Sequence, residues 1–258
     1  MNSKKQLFNN SINYNFELDF GIVLEKSFDN FKKISGIAGI GIIISSLFFG
    51  VLLVGIFGSI YGFAHFTETL TGFSANLTWS NQLLIIIFGS VFGGIFSPLN
   101  AGFIQMARNA STGDSFGLNT LFGFFSSTFF KDLFISSIVL SLFGGIVSFG
   151  FEQLNFKFIG NVISVSVTVL TIFTIPLIIF NKLDAINAIT TSCKLVLKSP
   201  FIIFGLLFVA LIICLLGIFG LCIGLFFTFP FWFSISYIMY AEIVPVTNFD
   251  ALDEIGLE

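Results

Sequence analysis

Residues 200–241 form one apolar block without a single charged side chain. A helix needs about 20 apolar residues to cross a hydrocarbon core of about 30 Å, so a block twice that long holds two spans and a tight turn. Gly217, Gly220 and Gly224 mark the position of that turn. The block therefore predicts a helical hairpin embedded in a bilayer.

The composition of the whole chain agrees with a membrane protein. The 258 residues are 55% hydrophobic and only 10% charged, whereas a soluble domain carries about 25% charged residues. The net charge of -3 gives no basic surface for nucleic acid, so we expect the lipid bilayer as the main partner. The three cysteines show no metal-ligand spacing, and we expect neither a metal nor a cofactor.

Four further stretches are long, apolar and free of charge, which brings the predicted number of spans to six. The predicted spans cover residues 34–60, 82–107, 133–151, 159–180, 200–216 and 221–241. The fold class predicted is all-α, with six transmembrane helices arranged as three hairpins. A polar tail at 1–16 precedes a single membrane domain at 17–242, and an acidic tail covers 243–258.

Each predicted hairpin follows an amphipathic segment, at 17–33, 116–130 and 182–199. In the first segment, the predicted apolar face carries Leu18, Ile22, Phe28 and Phe31, with charged residues mostly opposite. In the third, apolar residues recur at near-helical spacing from Ile186 to Leu197, and lysines occupy polar positions. We expect three interfacial helices at the cytoplasmic surface of the membrane.

Basic residues predict the orientation, because Lys and Arg near span ends stay in the cytoplasm. With six spans and a cytoplasmic N-terminus, ten basic residues lie inside and only Lys157 lies outside. Both termini are therefore predicted to be cytoplasmic. The 39 phenylalanines, with abundant Ile, Asn and Lys, are typical of an AT-rich bacterial genome, so we expect a multi-pass protein of the inner membrane.

Proline occurs inside the second span of each predicted hairpin and inside no first span, which indicates a threefold repeat. The alternative is that any six-span chain divides into pairs and that prolines are common in spans. A proline frees a backbone carbonyl, which must then face a neighbouring helix, a hydroxyl or water. If the repeats surround an axis, these positions form a mildly polar centre: Pro98, Asn100, Thr174, Pro176, Thr228 and Pro230.

Three stretches of the chain carry a resemblance to known proteins. They are the run Ser-Pro-Leu-Asn-Ala-Gly-Phe at 97–103, the pairs Leu121-Phe122 and Phe124-Phe125, and the segment from Ala185 to Lys198 with the later Leu216-Gly217 and Pro230. The chain resembles the uncharacterised bacterial polytopic membrane proteins of the domain-of-unknown-function kind. These look similar to the membrane portion attached to some glycerophosphodiester phosphodiesterases. The resemblance implies six spans and no established activity, and it brings no catalytic domain.

No catalytic constellation is evident, so we do not expect an enzyme. The only histidine, His65, lies near Glu68 on a predicted outer loop, and a lone histidine supplies too few metal ligands. The span interiors contain no ionisable side chain, which argues against proton-coupled transport. Two hypotheses follow. The first is a non-enzymatic scaffold or accessory subunit that contacts lipid or a membrane protein; the second is a small permease for an apolar or amphipathic substrate.

Overall fold

The structure, a computed structural model, describes residues 18–61, 79–220 and 223–244. This part of the chain is helical apart from short turns and contains no strand. Six helical segments are long and apolar enough to span a membrane: Phe20–Leu52, Trp79–Thr112, Phe130–Gln153, Lys157–Asn181, Pro200–Phe219 and Gly224–Ile243. The predicted all-α, six-span class is confirmed.

The described residues form ten α-helices, because two of the spans are interrupted and two short helices lie between spans. In chain order the helices are α1 Phe20–Tyr61, α2 Trp79–Thr112, α3 Leu118–Phe122, α4 Phe130–Gln153, α5 Lys157–Leu170, α6 Thr174–Asn181, α7 Ala185–Val196, α8 Pro200–Leu216, α9 Ile223–Thr228 and α10 Pro230–Ile243. Short 3-10 turns cover Gly123–Ser126 and Gly217–Gly220. The last hairpin thus turns at the glycines that the sequence indicated.

Contacts between helix ends define one end of the bundle. Lys26, near the start of α1, forms an ion pair of 2.6 Å with Glu242, near the end of α10. The Asn30 amide, also in the first turns of α1, donates to the Ala107 carbonyl near the end of α2. The start of the first span and the ends of the second and sixth spans therefore lie together.

Two further contacts extend this arrangement to the middle spans. The Ala185 N–H at the start of α7 donates to the Asp132 carboxylate at the start of α4, over 3.3 Å. At the opposite end, the Gln153 amide donates to the Gln82 side chain, which links the end of α4 to the start of α2. The chain therefore passes up and down through the bundle in the way that three successive hairpins require.

Helix α10 forms the centre of the packed core. Almost every residue from Pro230 to Tyr240 is buried, and the helix packs against α1, α2 and α8. Phe231 contacts the rings of Phe28 and Phe31, with centroids 4.8 and 5.5 Å away. Phe233 stacks on Phe103 of α2 at 4.6 Å. Aromatic rings thus join the last span to the first two. Such ring pairs stabilise the packing beyond the hydrophobic gain from burying their surface.

Two close backbone approaches depend on glycine. A Cβ added to Gly102 of α2 would lie 2.2 Å from the Leu121 carbonyl oxygen of α3. A Cβ added to Gly224 would lie 2.5 Å from the Gly217 carbonyl oxygen. These distances are far below van der Waals contact. Glycine therefore lets α3 pack on α2 and lets α9 return against the end of α8.

The fourth and sixth spans are broken close to their prolines. α5 ends at Leu170, and α6 begins at Thr174, two residues before Pro176. A proline has no N–H, and its ring clashes with the carbonyl four residues earlier, so the helix breaks one turn upstream. Pro230 similarly begins α10, after α9 ends at Thr228. Pro98 differs, because α2 continues through it.

The prediction of three separate surface helices is not confirmed. The first segment continues into the first span as one helix of 42 residues, about 63 Å long at 1.5 Å per residue. The second reduces to the five residues of α3 and a 3-10 turn. Only the third is a discrete helix, α7, in which the Asp184 carboxylate caps the N-terminus by accepting from the Asn187 N–H at 3.3 Å.

One residue of the predicted apolar face of the first segment does not pack into the bundle. Ile22, placed on the apolar face, is 47% exposed. The buried stripe instead runs through Val23, Ser27, Asn30 and Ile34, at helical spacing of four, three and four residues. The predicted tail at 1–16, most of the acidic tail, and the loop with His65 and Glu68 lie outside the described residues.

Candidate functional site

The six positions predicted to form a polar centre have different surroundings. The three prolines, Pro98, Pro176 and Pro230, are all buried within the protein. Thr174 is buried, Thr228 is half-buried, and Asn100 is exposed. In the part of the chain that the structure describes, no hydrogen bond joins any two of these side chains. Asn100 therefore lies at the surface and the other five positions are buried or half-buried, and the polar centre stays a prediction.

The two threonines differ in how their hydroxyls are used. Thr228 donates to the Cys214 carbonyl of α8 over 3.0 Å, so it links the two halves of the last hairpin. The Thr174 hydroxyl is buried at the break between α5 and α6 and has no hydrogen-bond partner among the described residues. A buried hydroxyl without a partner costs free energy. Among the six predicted positions, Thr174 is therefore the buried side chain with an unpaired polar atom in the described part of the chain.

Ser192 of α7 satisfies the backbone at the break in the fourth span. Its hydroxyl accepts a hydrogen bond from the Phe173 N–H at 3.1 Å and donates to the Leu170 carbonyl at 2.9 Å. Ser192 is fully buried. Backbone groups inside a membrane must be paired within the protein. One side chain on a neighbouring helix thus replaces the hydrogen bonds that the interruption removes.

Asn30 forms the centre of a second set of buried bonds. Its amide donates to the Ala107 carbonyl at 2.6 Å and to the Ser111 hydroxyl at 2.7 Å. Its carbonyl oxygen accepts from the Ser234 hydroxyl at 2.9 Å. The side chain is 3% exposed. One asparagine therefore ties α1 to both α2 and α10.

Aromatic and basic side chains lie at the same end of the bundle as Asn30. The Tyr240 hydroxyl donates to the Asn181 side chain at the end of α6. The Arg108 guanidinium lies over the Phe180 ring, 5.3 Å from its centroid, a distance that permits a cation–π attraction. Lys33 donates to the Ala110 carbonyl. We call this set the polar cluster: Asn30, Lys33, Arg108, Ser111, Asn181, Ser234 and Tyr240.

The polar cluster joins helices to one another through hydrogen bonds. Its hydrogen bonds run between spans, from α1 to α2, from α1 to α10 and from α6 to α10. Polar side chains of this kind stabilise helix association in membranes. In the described ranges, no three His, Cys, Asp or Glu side chains gather in a way that would hold a metal ion.

Sequence reasoning missed both Asn30 and Ser192. Asn30 lies in a segment whose charged residues suggested an interfacial face, and Ser192 lies among the polar positions of α7. A usable signal for Asn30 was the stripe of Val23, Ser27, Asn30 and Ile34. No comparable signal marks Ser192, because its partners are backbone atoms at a break whose exact residues depend on tertiary packing.

Comparison with known proteins adds no relative from which function could be carried over. No protein-family model, no curated protein and no solved structure matches the chain. The resemblance to membrane portions of some phosphodiesterases therefore stays a prediction. The geometry of the helices and of the polar cluster is the basis on which a function can be proposed.

Proposed function

We propose that this protein is a non-enzymatic scaffold or accessory subunit of a bacterial inner membrane, acting through lipid or protein contacts. The observation that carries the proposal is the polar cluster, whose Asn30, Ser234 and Tyr240 side chains bond to neighbouring helices. Such bonds hold spans in fixed positions. A framework with fixed helices suits a protein that presents a surface to its neighbours.

The surface available for such contacts is wide and aromatic. Along α8, Phe201 is 90% exposed, Phe204 and Phe208 are each 54% exposed, and Phe219 beyond its end is 87% exposed. These rings follow one another at helical spacing along a span. In a bilayer they contact lipid chains or the span of another protein. We take this α8 face as the proposed contact surface.

The proposed orientation has both termini in the cytoplasm. Its support is the distribution of Lys and Arg, ten on one side and only Lys157 on the other. The polar cluster would then lie toward the cytoplasm, because it contains Lys33 and Arg108. Partners or lipids at that end would meet the inner leaflet.

Co-purification from native membranes tests the proposal. The tagged full-length chain is extracted in a polymer nanodisc, and bound proteins and small molecules are quantified by mass spectrometry. We expect a stoichiometric membrane-protein partner that is lost when Phe201, Phe204 and Phe208 are changed to alanine. The matched control changes exposed phenylalanines on other spans, Phe88, Phe143 and Phe158, and should keep the partner.

A chain that purifies alone with a bound small molecule would contradict the scaffold proposal and favour the second candidate, a small permease. The observation behind that candidate is the pair of broken spans, at Pro176 and Pro230. Interrupted helices line substrate sites in many transporters. In that case a Thr174→Val variant, which removes the unpartnered hydroxyl, should lower the amount of bound molecule.

A further inference from the structure

Helix α7 lies between the fourth and fifth spans in the chain. It follows the fourth span, which ends at Asn181, and precedes the fifth, which begins at Pro200. Only three residues separate it from each span. The N-terminus of α7 therefore adjoins the end of the fourth span, which is one boundary of that span.

The two faces of α7 meet different surroundings. One face packs into the bundle through small and apolar residues, which are Ala185, Ala188, Ser192, Leu195 and Val196. A second stripe, beside the buried face, carries Ile186, Ile189, Cys193 and Leu197, spaced three and four residues apart; Ile189 and Cys193 are half-buried. Ile186 is 53% exposed and Leu197, just beyond the helix, is 63% exposed. Phe201, in the first turn of α8, is 90% exposed.

Three lysines near α7 have no ion partner among the described residues. They are Lys131 at the start of α4, Lys182 before α7, and Lys194 within it, and all are exposed. By contrast, Lys26, Lys32 and Lys157 each pair with a carboxylate. Among the described residues, the ammonium groups of these three lysines are therefore not neutralised by salt bridges.

The two nearby aspartates are engaged in local hydrogen bonds. Asp132 accepts from the Ala185 N–H, and Asp184 accepts from the backbone and side chain of Asn187. Hydrogen bonds from Asn187, chiefly from its side chain, hold the pKa of Asp184 below its ordinary value. Each aspartate thus has a structural role in starting α7. The lysines remain available to an anion outside the protein.

We propose that α7, with Lys131, Lys182 and Lys194, forms a docking surface for the headgroups of anionic phospholipids. The stripe would sit at the boundary between headgroups and acyl chains, with the ammonium groups near lipid phosphates. Both parts agree with surface helices that combine an apolar face with lysines. The inference deepens the proposed function and rests on its lipid-contact part, because it names the class of lipid.

The test uses the purified full-length chain in mixed micelles containing equal phosphatidylglycerol and phosphatidylcholine. Retained lipids are counted by native mass spectrometry. The test variant is Lys131→Gln, Lys182→Gln and Lys194→Gln together. The matched control removes three lysines that are already paired, through Lys26→Gln, Lys32→Gln and Lys157→Gln. Both variants change the net charge equally.

We expect the wild type and the control to retain phosphatidylglycerol over phosphatidylcholine. Because each surface lysine contributes about fivefold in affinity for an anionic membrane, the test variant should lose at least about tenfold of this preference. Each single substitution should lose part of it. Equal loss in both triple variants, or no loss in the test variant, would overturn the proposal.

Two further comparisons distinguish lipid docking from the binding of free phosphate and from the binding of a partner protein. Inorganic phosphate at millimolar concentration should leave phosphatidylglycerol retention unchanged, and effective competition would point to a site for free phosphate and overturn lipid docking. Because no partner protein is present, failure here leaves the co-purification result unaffected. If the wild type co-purifies without a partner but keeps its lipid preference, only the protein-contact part of the proposed function is contradicted.

Discussion

Asn30 shows how one side chain can join three spans. Its amide and carbonyl form three hydrogen bonds, two to α2 and one to α10, in a position that is 3% exposed. Neighbouring Phe28 and Phe31 pack on Phe231 of the same α10. Polar and aromatic contacts therefore act at the same crossing of helices. The asparagine selects one register, because sliding either partner would separate the bonded atoms.

Replacing Asn30 with alanine should destabilise the folded protein by about 2 kcal/mol. Interhelical hydrogen bonds in membranes contribute on average about 0.6 kcal/mol each, and three are lost here. The midpoint of unfolding in a titration with a denaturing detergent measures the change. Asn119→Ala, at an exposed position on α3, is the control and should shift stability by less than about 0.5 kcal/mol. An Asn30→Ala midpoint equal to that of the control would contradict the proposed role of Asn30 in joining α1 to α2 and α10.

At the scale of single residues, the sequence predicted few of the buried hydrogen bonds. Apolar runs identify spans because about 20 residues add their small preferences for lipid. A single buried amide such as Asn30 has no such summed preference that would reveal it. Because charged residues such as Asp29 and Lys32 lie beside it, the segment was interpreted as an interfacial helix. The proline positions were informative in a different way. They located two breaks, but not the hydroxyl that repairs one of them.

At the scale of elements, the fourth span and α7 depend on each other. The span is interrupted between Leu170 and Thr174, and Ser192 of α7 bonds to backbone groups on both sides of the interruption. Helix α7 and the broken span therefore form one unit. A change in the position of α7 would leave buried backbone groups without partners.

Ser192→Ala should loosen this unit locally. The Phe173 N–H and the Leu170 carbonyl each lose a partner, and a buried unsatisfied group costs about 1–3 kcal/mol. Hydrogen exchange of the Phe173 amide, measured in nanodiscs by mass spectrometry, should therefore accelerate by roughly tenfold or more. Ser166→Ala on the same span is the control, since its exposed hydroxyl donates only to the Val162 carbonyl within its own helix. Equal exchange in both variants would rule out the bridging role.

The boundaries of elements are easiest to predict where composition alone decides them. The fifth span was predicted to end at Leu216, which is where α8 ends. The surface segments were less predictable, because their amphipathic pattern fits either a separate helix or the first turns of a span. The structure has the second arrangement in α1 and the first in α7. The choice depends on packing, which Ser27 and Asn30 provide for α1.

At the scale of the whole molecule, contacts between helix ends constrain the path of the chain. Lys26 pairs with Glu242, and Asn30 bonds to Ser111, so the start of the first span adjoins the ends of the second and sixth. Gln82 and Gln153 meet at the opposite end. An even number of spans follows from these pairs. They define relative sides, and the distribution of lysines supplies the proposed absolute orientation.

Reporter fusions test that orientation directly. A reporter active only in the cytoplasm should be active after Ser111, after Thr191 and after Glu258. It should be inactive after Trp79 and after Phe156, because these positions adjoin the Gln82–Gln153 end of the bundle. The physical reason is that ten basic residues near span ends resist transfer across the membrane, whereas only Lys157 opposes them. Paired fusions with a reporter active only outside serve as controls and should give the reverse pattern. Outside activity after Glu258 together with inside activity after Ser111 would contradict the even span count and the ion pair between Lys26 and Glu242. Reversed activity at all five positions would contradict the orientation alone.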